Sequence, residues 1–331
     1  MKDFLAPDDT RDALRKIGGL LFGIGMLMLF FRKGDDYSNF VLLLILAIPA
    51  GFLYYEGVFT GALTGGLRPW QAVYSVFGLI LVPLALFQFV DLVDGSASGW
   101  NTFWIFGVTA GLAFYAGAVK GIRFHLLAGS IATIIAWSGL WDELISGGIG
   151  EHFGVYRGLL GILSIILLAC ALYLWREQNG ERVSGTAVND GGDQGLWKAS
   201  ELLTGAGISA VLACSLGISS IFEGVGAFGI PFTVVETAPV WDVLLLAVSL
   251  GLVGIGTQIG TRGPVYVGAI GLTLFLFIVG GDLDSDTPKP NDLGIWPIVL
   301  IVGGLVAIGL GGIKEASLGE RPRKFVKGLG K

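Results

Sequence analysis

The chain has 331 residues, of which 53% are hydrophobic and only 14% charged, with a net charge of −5 and a mean hydropathy of +0.75. Soluble domains carry roughly 25% charged residues, so a water-exposed globular fold is excluded and a chain built for lipid is expected. The charge balance offers no basic surface for nucleic acid, and with two Cys and two His no disulfide framework and no cofactor are expected.

Ten apolar runs lie near 17–31, 40–55, 70–90, 101–119, 124–141, 155–175, 199–222, 241–260, 264–280 and 294–312. Each is long enough, or nearly so, to cross a hydrocarbon core that takes about 20 residues of helix. They lack the alternation of barrel strands, so their backbone groups must be satisfied inside helices. The expected fold is an all-α integral membrane protein of about ten transmembrane helices.

The first run follows Lys2, Arg11, Arg15 and Lys16 as a signal peptide would. No A-x-A-like cleavage site follows Phe31 and nine further runs come after it, so it is kept as the first span. With the second run it forms an N-terminal hairpin, residues 1–65. Residues 66–181 make a four-helix repeat, 182–194 a polar, Gly-rich cytoplasmic linker, 195–315 a second four-helix repeat, and 316–331 a basic cytoplasmic tail.

The repeat is written in two corners, GAVKGIRFHLLAG from Gly117 and GTQIGTRGPVYVG from Gly256, which share the spacing G-x3-G-x-R-x5-G. Upstream, Gly78 aligns with Gly207 and Asp94 with Glu223; beyond the corners Glu143 aligns with Asp282. Each unit holds an even number of helices, so the two are expected to be parallel repeats related by an axis along the membrane normal. The corner glycines are expected to allow close backbone approach and the turn between helices, and those four apart, Gly117 with Gly121 and Gly256 with Gly260, to let helices pack tightly.

Counting Lys and Arg on the two sides of the ten spans places 17 on one and only Arg32, Lys33, Arg157 and Lys289 on the other, outer side. Cytoplasmic loops are enriched in them, so both termini are expected in the cytoplasm and the protein in the cell membrane. All nine Trp then fall at helix ends, where an indole finds both apolar and polar surroundings. Arg123 and Arg262 read as topology anchors, with an anionic lipid at the inner face as the functional alternative.

The stretch RGPVYVGAIGLTLFLFIVGG, followed by GIWPIVLIVGGLVAIGLGG, resembles the C-terminal helix pair of uncharacterised bacterial multi-pass membrane proteins. In these an Arg-led Gly-Pro, Tyr-Val-Gly corner precedes a last helix opened by G-W-P. Here Ile295 interrupts that second motif, and the resemblance implies a fold and no activity.

Ionisable residues inside a bilayer usually mark function, and the centres of the ten spans hold none. Ser130, Thr133, Ser164, Ser209, Ser215, Ser249 and Thr273 are each expected to bond within their own helix. Cys170 and Cys214 read as small core residues. The outer loops are acidic, and Asp94, Glu143, Glu223 and Asp282 are the candidate carboxylates for a metal or for attracting a cation or basic partner. Asp142 and Glu143, adjacent on one helix, point about 100° apart and make no ready acid/base pair. The expected function is non-catalytic, acting through lipid or protein contacts. A carrier or channel for a small solute between the repeats and an outer-interface enzyme are the alternatives.

Overall fold

The structure is a computed structural model that describes residues 8–33, 36–60, 69–93, 95, 98–145, 152–183, 192–215 and 239–280. All regular structure among them is helical: α1 Asp8–Lys33, α2 Asn39–Val58, α3 Pro69–Leu92, α4 Gly99–Lys120, α5 Arg123–Leu144, α6 Phe153–Val183, α7 Gly192–Ser215, α8 Pro239–Ile259 and α9 Arg262–Gly280. The chain divides into two compact units, Met1–Leu274 and Phe275–Lys331, and the packing below is that of the first.

Six of these helices are long and apolar enough to cross a membrane: α1, α2, α3, α5, α6 and α8, over Leu14–Arg32, Asn39–Val58, Trp70–Leu92, Phe124–Leu144, Gly154–Arg176 and Val240–Ile259. The chain is therefore a membrane-embedded protein, all-helical among the described residues. The first nine expected runs coincide with α1 to α9, while the tenth, 294–312, lies outside the described residues. Helix ends differ from the expected span ends because polar residues continue the helix past the apolar run. α6 goes on to Val183 and α7 begins at Gly192, so both enter the stretch read as linker.

Lipid is as apolar as leucine, so helices in a membrane hold together by close contact rather than by escape from water. α2 and α3 do this through two glycines. A Cβ on Gly57 would strike the Ser75 backbone, and one on Gly78 would strike the Tyr54 backbone. Tyr54 also donates its hydroxyl to the Leu112 carbonyl at 2.8 Å, fastening α2 to α4.

Apolar cores join the helices in threes, Tyr54, Val58, Leu79, Ala113 and Ala116 linking α2, α3 and α4. Met26, Leu42, Leu46, Leu53, Leu81 and Ala85 join α1, α2 and α3; Ile134, Leu160, Leu163, Leu167, Ala206 and Ala213 join α5, α6 and α7.

At the two corners Gly121 and Gly260 take left-handed backbone angles, φ 72° and 74°. Each ends its helix. Ile122 donates its N–H to the Ala116 carbonyl at 3.3 Å, and Thr261 to that of Gly256 at 2.9 Å. A Cβ at Gly121 or Gly260 would meet nothing within 4 Å, whereas one at Gly117 or Gly256 would crowd Leu126 or Val265, nine residues on. The expected pairing of close-approach glycines is thus corrected: the first of each pair admits the next helix and the second makes the turn.

Candidate functional site

Among the four candidate carboxylates, Asp94, Glu223 and Asp282 lie outside the described residues. Glu143 accepts the Trp100 backbone N–H on Oε2 at 3.3 Å, tying the end of α5 to the start of α4. Its neighbour Asp142 turns to α6, where the Tyr156 hydroxyl donates to Oδ1 at 3.3 Å. The two carboxylates therefore serve different interfaces, as adjacent helical positions require. Among the described residues no group of three or more His, Cys, Asp and Glu is placed to hold a metal.

Arg123 and Arg262 open α5 and α9. Arg262 is exposed and lines a cavity of about 310 Å³ with Gly256, Thr257, Gly260, Thr261 and Tyr266. The hydroxyl oxygen of Thr261, one of the lining residues, is enclosed and has no hydrogen-bond partner.

The hydroxyls of the apolar helices behave in two ways. Ser130, Thr133, Ser215 and Thr273 bond to carbonyls three or four residues back in their own helices. Ser164 and Ser209 do not. Ser164 Oγ donates to the Ala206 carbonyl of α7 and Ser209 Oγ to the Leu160 carbonyl of α6, both at 2.9 Å, a reciprocal link between neighbouring helices. The close approach of α6 to α7 brings a foreign carbonyl within reach, which no single-helix pattern displays. Ser249 Oγ has no partner. Of the cysteines, Cys214 is buried as expected, but Cys170 is exposed on the apolar face of α6.

Two buried ionisable side chains were not expected. His125 is fully buried at the start of α5, alongside the Ser75 backbone. Arg157, counted in the sequence as an outer-side cation, is 6% exposed. It sits in the first turns of α6, with its guanidinium carbon 4.9 Å from the centroid of the Trp241 ring of α8. Cys214, near the end of α7, and Asp242 interact with it electrostatically, while its Nε is enclosed and unpartnered.

The same end of the bundle gathers further aromatic rings. Trp137 and Trp141 meet edge to face at 5.6 Å, and Trp137 Nε1 donates to the Leu159 carbonyl of α6 at 3.0 Å. Trp141 Nε1 is buried without an acceptor. The signal for this cluster was legible only in part: Arg157 is the one cation inside the apolar run GVYRGLLGILSIILL, but charge in a sequence carries no depth.

At the other end of α6, Leu168, Leu172, Trp175, Ser200, Leu203 and Gln258 line a groove of about 270 Å³ between α6, α7 and α8. Its walls are apolar, with the Ser200 and Gln258 polar groups among them.

Compared with protein families, curated proteins and solved structures, the chain matches none. Its reading rests on its own residues.

Proposed function

We propose that this chain is a non-catalytic, multi-pass protein of the cell membrane, with ten helices and both termini cytoplasmic, that acts through lipid or protein contacts. The observation that carries this reading is the surface. Ile48, Phe52, Ile165 and Leu172 are 66%, 57%, 67% and 53% exposed along helices otherwise apolar, a face that only lipid or another apolar helix covers favourably. The groove between α6, α7 and α8 has the width and polarity to take a lipid chain. The cavity lined by the exposed Arg262 suits an anionic headgroup at the inner face.

The parallel repeat has support at matching positions. Ser75 lies beside His125, and 129 residues after Ser75 stands Thr204, which a Cβ on Gly263 would strike, one residue before the counterpart of His125, Pro264. The acidic outer loops remain the proposed attraction for a cation or basic partner.

Flux across proteoliposomes separates this reading from a carrier. Panels of small ions, amino acids and sugars should cross no faster than in protein-free vesicles. A solute whose flux depends on the protein would replace the proposal with transport between the repeats.

A further inference from the structure

Among the described residues, Arg157 is a buried charge whose Nε has no acceptor. A guanidinium stays protonated in proteins, so burial cannot be relieved by losing the charge. Enclosing part of it without an acceptor is costly, and ionisable groups held inside a membrane usually mark function. Its surroundings have the form of a half-built site. The Trp241 ring at 4.9 Å occupies a face of the guanidinium. Stacking of that kind leaves the in-plane N–H fork free, and the fork matches carboxylate and phosphate oxygens. The enclosed Nε has no acceptor. Asp242, half-buried one residue beyond the stacking ring, supplies countercharge to Arg157 through space.

We propose that Arg157, seated on Trp241, recognises an anionic oxygen group, phosphate or carboxylate, carried by a lipid headgroup or a small solute that reaches this end of α6, α7 and α8. Asp242 holds the empty site and gives way to the ligand. The lipid route rests on the membrane-embedded reading above; the soluble-anion route does not.

The test uses the full chain in neutral detergent, followed by thermal unfolding, with every protein carrying Arg262→Gln so that the proposed inner-face contact adds nothing. Inorganic phosphate is titrated against chloride at matched ionic strength, and short-chain phosphatidylglycerol against diacylglycerol, which has no phosphate. One or both phosphate probes should raise the unfolding temperature. Response to phosphate alone assigns a soluble ligand, and to phosphatidylglycerol alone a headgroup. Arg157→Lys keeps the charge without the fork and should shift the midpoint to about tenfold higher concentration or more. Arg157→Gln should abolish the response, and Asp242→Asn should lower the midpoint by removing the competing carboxylate. Because Arg157→Gln can fail to fold, Arg157→Lys and Asp242→Asn each decide the matter alone. No response of the parent protein to either probe, or midpoints unmoved by Arg157→Lys and Asp242→Asn, would overturn the proposal and leave Arg157 as a tie between α6 and α8.

Discussion

At Gly121 and Gly260 the backbone is left-handed while the space where a side chain would begin is open. The penalty for a substitution there is conformational, not steric. Alanine at either position should cost about 1 kcal/mol, and asparagine, which tolerates this region, less. Chemical unfolding of Gly121→Ala, Gly121→Asn and Gly260→Ala in detergent checks the order; equal losses for Ala and Asn would mean that the turn is not the reason for glycine. The G-x3-G-x-R spacing marked these glycines in the sequence, yet spacing is blind to φ, so the two roles within each pair looked alike. Arg157 and His125 were hidden for a related reason. Their residue types were plain, but their burial arises from helices far away in the chain.

Between elements, the bonds from Ser164 and Ser209 run in opposite directions across one interface, and each ends on a carbonyl belonging to the other helix. Removing a hydroxyl leaves that carbonyl within its own helix, so no orphan is created. Ser164→Ala and Ser209→Ala should each lower stability by about 0.6 kcal/mol, the average for such bonds in membranes. The double variant, measured by steric-trap or denaturant unfolding, should lose close to the sum; a loss near zero would mean that lipid or water replaces both bonds. Elements were the most legible level of the sequence, since an apolar run of membrane length has few alternatives to a helix. Their ends were less so. The stretch Glu177–Arg182 is mostly polar yet helical, α6 continuing past its apolar window at Arg176.

For the whole molecule, the proposed orientation predicts a labelling pattern. In a background without Cys170 and Cys214, single cysteines at Glu151, Glu223 and Asp284 should react with an impermeant maleimide from outside. Those at Arg123, Asp190 and Arg262 should react only after permeabilisation, and outside labelling at Asp190 would overturn the ten-span arrangement. The proposed orientation rests on two statistics, the Lys and Arg bias and the Trp positions, that depend on the solvent rather than on contacts. The contacts have a consequence of their own. α2 lies on α3, α4 on α5 and α6 on α7, so these interfaces join helices adjacent in the chain. Loops between such partners are short, and little entropy is lost in closing them. A ribosome feeding this chain into a membrane therefore delivers each hairpin with its partner already beside it. The order of synthesis is the order of assembly, and an arrest sequence placed after Ile145 should release a nascent chain whose first five helices have already found one another.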